Sequence, residues 1–114
     1  MKTIEHFVGG KTFVGDSKRT GKVFNPATGE QSAQVKLATT KDINQAVENA
    51  KKAFDAWVNT PPLQRARIMF KFKELIEKNS DELTKIIVAE HGKVYDDAKG
   101  SLTRGLEVVE YACG

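Results

Sequence analysis

Arg104 is the side chain whose chemistry stands apart from its surroundings. It falls in the stretch EHGKVYDDAKGSLTRGLEVVEYACG, Glu90–Gly114. There Val94, Ala98, Leu102, Gly105, Val109 and Ala112 recur at steps of three and four, which makes one helical face. At 100° per residue, Arg104 lies about 120° from the centre of that stripe, on a flank shared with Asp97, Ser101, Val108 and Tyr111. A flank arginine can pair with Glu107 at i+3, a contact worth about 0.2–0.5 kcal/mol. It can equally aim its planar fork at an anionic ligand, because guanidinium binds a carboxylate bidentately. Spacing alone leaves both readings open. Gly100 and Gly105 lie inside the same helix, where each costs about 1 kcal/mol against Ala. Their presence predicts a neighbour, helix or ligand, close against the backbone.

The other reactive side chains are few. Cys113 is the single cysteine, so neither an internal disulfide nor a multi-Cys metal site is available. A nucleophilic cysteine needs a base or a cation beside it, and both histidines, His6 and His91, are distant in sequence. Near a helix end, such a cysteine reads as a small buried hydrophobe. The sequence contains no G-x-G-x-x-G, no P-loop, no Ser-His-Asp set and no Cys/His metal cluster. Read from chemistry alone, it holds no complete active site.

The elements that must carry Arg104 are legible in order. With 114 residues, 39% hydrophobic and 29% charged, the chain has the size and composition of one soluble globular domain. Its 18 Lys and Arg are interleaved with 15 acids, for a net charge of +3, without the one-sided cluster that a nucleic-acid footprint needs. No apolar run is long enough to span a membrane, and the N-terminus lacks the apolar core of a secretory signal. Phe7-Val8 and Thr12-Phe13-Val14 flank Gly9-Gly10, which predicts a hairpin with a primed turn. Ser17–Gly21 reads as loop. Val23-Phe24 enters an Asn25–Gly29 turn, and Gln31–Ala38 alternates as a strand with Ala33, Val35 and Leu37 on one side.

Four helices follow. Thr39–Asp42 supplies an N-cap to a helix whose apolar residues run Ile43, Ala46, Val47, Ala50, Ala53, Phe54 and Trp57. Thr60 is the expected cap of the second, with Pro61 at its first position. That helix, Leu63–Lys78, is apolar over most of its circumference, which implies burial on more than one side. Asn79 with Glu82 reads as a capping box for a third helix with Leu83, Ile86 and Ile87 inward. Glu74–Lys78 and Asp81–Lys85 are i,i+4 pairs on outer faces. Gly92 suits the left-handed residue that stops this helix, and the helix of Arg104 follows. The expected fold is thus α+β: an N-terminal β-hairpin and short strands, then about four helices, as a piece of a larger α/β enzyme.

Five blocks in this order resemble the N-terminal end of the aldehyde dehydrogenase superfamily: FNPATGE (Phe24–Glu30), AVENAKKAFDAW (Ala46–Trp57), TPPLQRARIMFKFKELIEKNSDEL (Thr60–Leu83), EHGK (Glu90–Lys93) and DAKG (Asp97–Gly100). RGLEVVEYACG after EHGK is similar to the methylmalonate-semialdehyde dehydrogenase branch, whose R-G-x-E-x-V-E helix has its Arg at Arg104. The resemblance implies an enzyme using NAD and coenzyme A to convert malonate or methylmalonate semialdehyde to acetyl- or propionyl-CoA with loss of carbon dioxide. It implies that Arg104 holds the substrate carboxylate. It implies also a cytoplasmic homo-oligomer acting on a small molecule, with neither nucleic acid nor membrane as partner. Residues 1–114 would be the N-terminal segment, with no cofactor expected on it. The nucleophilic cysteine, the oxyanion Asn, the coenzyme-binding strands and a second substrate Arg would lie beyond Gly114. The segment alone is expected to be inactive and to leave Ile68, Phe70 and Phe72 uncovered. Two alternatives stay open: a dehydrogenase that releases its acyl group to water, and a self-standing helical interaction module.

Overall fold

A computed structural model describes all residues, 1–114. The chain forms five strands and then four helices, and divides into two compact units, Met1–Asn59 and Thr60–Gly114.

In the first unit, β1 (Lys2–Ile4), β4 (Thr20–Phe24) and β5 (Gln31–Lys36) make a three-stranded sheet ordered β1-β5-β4. The β1 strand pairs parallel to β5, with Lys2 opposite Ala33 and Ile4 opposite Val35. The β4 strand runs antiparallel to β5, with an irregularity between Val23 and Phe24. Strand β2 (His6–Val8) and strand β3 (Lys11–Phe13) form the expected hairpin, and Gly9 and Gly10 turn it with φ of 65° and 76°. Positive φ at both central residues is what a primed turn demands. The Asn25–Gly29 turn closes on itself: Gly29 N donates to Asn25 O at 2.8 Å, and Ala27 N to Asn25 Oδ1 at 2.9 Å. The expected 17–21 loop is shorter than read, because β4 begins at Thr20. Strand β1 carries no legible signal, since its three residues pair with positions about thirty residues away.

Helix α1 (Thr40–Val58) is capped by Thr39 and Asp42 acting reciprocally. Asp42 N donates to Thr39 Oγ1 at 3.1 Å, while Thr39 N donates back to Asp42 Oδ2 at 2.8 Å. That is a capping box with Asp in the third position. The same carboxylate accepts from Asp16 N at 3.0 Å and so ties the 14–17 loop to the helix start. The apolar stripe of α1 is exposed: Ile43, Val47, Phe54 and Trp57 are all open.

In the second unit, α2 (Pro62–Lys78), α3 (Ser80–His91) and α4 (Tyr95–Ala112) pack with α4 against both others. Helix α2 starts one residue later than expected, with Pro61 in the cap position and Pro62 first in the helix. The capping box at Asn79 does not form. Asn79 ends α2 and begins α3 at once, with ψ of 15°, and its Nδ2 donates backward to Leu75 O at 2.7 Å. An N-cap side chain works from extended backbone, and a corner shared by two helices denies it that geometry. Leu83 and Ile87 are part-covered, but Ile86 is exposed and Thr84, unnoticed in sequence, is fully buried. Its Oγ1 donates to Ser80 O at 2.7 Å, which satisfies the buried hydroxyl within its own helix. The Asp81–Lys85 pair forms at 2.7 Å, whereas Glu74 pairs with Lys71 at 3.0 Å and not with Lys78.

The inward face of α4 is displaced from the expected stripe. Ala98 and Cys113 are buried and Leu102, Leu106 and Val109 are part-covered, while Val94, Gly105 and Ala112 are exposed. Counting Gly and Ala as apolar shifted the stripe away from Leu106. The expected close neighbour at the glycines is also absent. A Cβ added at Gly105 would meet nothing within 4 Å, and at Gly100 only Arg104 Nη1 at 3.5 Å.

Candidate functional site

The site around Arg104 is assembled by a helix stop followed by a helix start. Gly92, at φ 82°, ends α3 with its N–H on Val88 O at 2.9 Å. Only glycine enters that left-handed conformation without steric cost. Lys93 and Val94 then lead into α4, Val94 in extended backbone with φ −66° and ψ 154°. Asp96 and Asp97 occupy the first turn of α4, where carboxylates complement the helix dipole.

Lys93 reaches forward over this first turn. Its Nζ donates to Ser101 Oγ at 2.8 Å and lies 3.5 Å from Asp97 Oδ2, and its side chain is only 18% exposed. From the other direction, Arg104 Nη2 donates to the same Ser101 Oγ at 3.3 Å. The arginine leans toward the helix N-terminus, as side chains on a helix do, and passes over Gly100. Ser101 Oγ in turn donates to Asp97 O at 3.4 Å. The structure therefore joins Lys93, Asp97, Ser101 and Arg104 around one hydroxyl.

Arg104 makes no ion pair, and the Glu107 pairing considered from spacing does not form. A guanidinium has five N–H donors, and the one bond to Ser101 leaves the fork uncompensated. Two cations and one carboxylate around the hydroxyl sum to +1, an arrangement that attracts a small anion. Val108 and Tyr111, on the same flank, are 68% and 88% exposed. Lys93 was missed as a site residue. No helical spacing marks it, because Lys93 precedes α4 and reaches its first turn only after Gly92 has ended α3.

The remaining candidates do not join this site. Cys113 is buried, and its Sγ donates to Val109 O at 3.3 Å, as a satisfied thiol in a helix does. His91 is exposed at the end of α3. In the first unit His6 lines a pocket of about 230 Å³ with Phe7, Phe13, Asp42, Ile43 and Ala46, and its Nε2 is buried without a partner. The Asp42 carboxyl there is held below its ordinary 3.8, chiefly by the Thr39 backbone N–H and hydroxyl.

Residues 13–114 match the aldehyde dehydrogenase family. A malonate-semialdehyde dehydrogenase of Pseudomonas aeruginosa is 47% identical over 99% of the chain and 22% of its own length. The methylmalonate-semialdehyde dehydrogenase of Oceanimonas doudoroffii superposes with a TM-score of 0.95 at 54% identity, over 100% of this chain and 23% of that one. The NAD complex of a Sinorhizobium meliloti 1021 protein assigned as a methylmalonate-semialdehyde dehydrogenase gives a TM-score of 0.97 at 46% identity, again over 100% and 23%. No helix is long and apolar enough to cross a membrane.

Proposed function

The chain belongs to the aldehyde dehydrogenase family, and from that premise we propose that residues 1–114 are the N-terminal segment of an NAD- and coenzyme A-dependent malonate- or methylmalonate-semialdehyde dehydrogenase. The chain spans under a quarter of the length of the relatives named above, 22% and 23%, so the reading concerns a whole protein of which this is a part. Its balance is simple: semialdehyde, NAD⁺ and the thiol of CoA give acyl-CoA, carbon dioxide and NADH. When bound, the coenzymes supply the hydride acceptor and the acyl acceptor.

In this reading the coenzyme cradle belongs to residues outside this chain. Strands β1 and β5 are parallel, but the chain between them passes through β2, β3 and β4 with no crossover helix. A dinucleotide fold is built from strand–helix–strand crossovers. The lack of such a crossover supports coenzyme sites outside these residues, and the burial of Cys113, the single cysteine, supports the same for the nucleophile. The part assigned to this chain is recognition of the substrate carboxylate by Arg104.

The observation that carries this role is the guanidinium itself: exposed, free of any carboxylate partner, and resting on a neutral hydroxyl. A semialdehyde carries a carboxylate that must be held while its aldehyde reaches the nucleophile. A charge-assisted hydrogen bond is worth about 1.5–3 kcal/mol, or about one to two decades in KM. In the whole dehydrogenase, Arg104→Leu should raise the KM for malonate semialdehyde by that factor and leave the KM for propanal much less affected. Lys at this position should rescue only partly, because it lacks the planar fork. Equal effects on both aldehydes would remove the carboxylate role. Acyl transfer is tested separately: with CoA omitted, NADH formation should collapse, and undiminished turnover to the free acid would make the enzyme hydrolytic.

A further inference from the structure

We propose that Ser101, anchored by Lys93, is the positioning residue for Arg104, an inference that rests on Arg104 being the ligand of the substrate carboxylate. A serine hydroxyl offers two acceptor lone pairs and one hydrogen. Lys93 Nζ takes one lone pair at 2.8 Å, Arg104 Nη2 takes the other at 3.3 Å, and the hydrogen goes to Asp97 O at 3.4 Å. All three capacities are used, so the direction of the hydroxyl is set by its neighbours. Its anchor is itself held, since Lys93 is largely covered and its charge sits 3.5 Å from Asp97 Oδ2.

The consequence is for Arg104. An arginine on an exposed helix flank samples many rotamers, and ordering it on a ligand opposes binding. A bond of 3.3 Å to a fixed hydroxyl narrows that sampling beforehand. Because the Ser101 hydroxyl is neutral, the guanidinium is oriented without its charge being cancelled. The guanidinium passes beside Gly100 with room to spare, since a Cβ there would stand at an ordinary contact distance of 3.5 Å from Arg104 Nη1.

The test is steady-state kinetics of the whole dehydrogenase carrying this chain, with malonate semialdehyde as substrate and propanal as the control without a carboxylate. Ser101→Ala should raise the KM for malonate semialdehyde about 3- to 10-fold relative to that for propanal, as expected for one neutral or charge-assisted contact. Ser101→Thr, which keeps a hydroxyl, should restore most of the loss. Lys93→Met should act in the same direction. Adding Ser101→Ala to Arg104→Leu should produce no further loss, since the serine acts only through the arginine. An unchanged KM in Ser101→Ala beside a selective rise in Arg104→Leu overturns the positioning role and leaves the ligand role standing. A loss in Ser101→Ala equal for both aldehydes makes the serine structural and also overturns it. An unselective Arg104→Leu removes the ligand role and the positioning role together.

Discussion

At the scale of single residues, one carboxylate holds together segments far apart in sequence. Asp42 accepts from Thr39 N, Thr39 Oγ1 and Asp16 N, and it is buried at 4% exposure. Those donors favour the ionised form, so the folded pKa lies below the ordinary 3.8. A depressed pKa contributes stability that is complete above the unfolded value and disappears as pH falls through the folded one. Thermal melts of the chain should therefore hold steady from pH 7 to about pH 5 and fall below about pH 4. The fall should be smaller in Asp42→Asn, and an equal fall in both proteins would acquit this carboxylate. Gly15 belongs to the same arrangement. Its φ is +70°, and a Cβ there would meet all three atoms of the Asp42 carboxyl at 3.0 Å. Gly15→Ala should destabilise by about 1–3 kcal/mol in a denaturant titration, from left-handed strain alone. The Asp42 cap is legible in Thr39-Thr40-Lys41-Asp42 because capping is local. Its bond to Asp16 is not, because nothing in the two segments marks them as partners.

At the scale of elements, legibility follows the same division between local and distant causes. The Gly9-Gly10 hairpin, the Asn25–Gly29 turn, the α1 cap and the Gly92 stop are each specified within a few residues, and each stands where the pattern places it. Helix faces are different, since what is inward depends on which neighbours exist. Helix α4 shows this: it packs on α2 and α3 through Ala98, Leu102, Leu106, Val109 and Cys113, turning Gly105 outward. Gly105→Ala should therefore stabilise the 114-residue chain by about 0.5–1 kcal/mol, by removing backbone freedom from the unfolded chain. The direction would reverse in the whole dehydrogenase if a partner lies against that face, and comparing melting temperatures of the two forms distinguishes the cases. A loss of stability in the 114-residue chain itself would contradict an open Gly105. Of the site, the flank of Arg104 was legible from 100° geometry, whereas Lys93 needed the turn at Gly92 to fold it back over α4.

At the scale of the whole molecule, α2 exposes apolar side chains on two sides. Ile68, Phe72 and Leu75 form one stripe, and Leu63 and Phe70 form another, with exposures between 45% and 63%. Ile68 and Phe70 are about 200° apart at 100° per residue. The covered side of α2, carrying Ala66, Met69 and Ile76, lies between the two stripes. One further helix laid on α2 could shield one stripe and leave the other in water. Adding the open face of α1, the exposed apolar side chains exceed what a soluble monomer ordinarily carries as scattered single residues. The 114-residue chain should consequently bind a hydrophobic dye or self-associate at micromolar concentration. Because the stripes are separate, Ile68→Lys and Phe70→Lys should each remove part of the dye signal, and the double variant close to the sum of the two. A chain sedimenting as a single monomer with no dye signal would show that these surfaces are satisfied as they stand. It would also take away the reason α2 gives for expecting more protein around it.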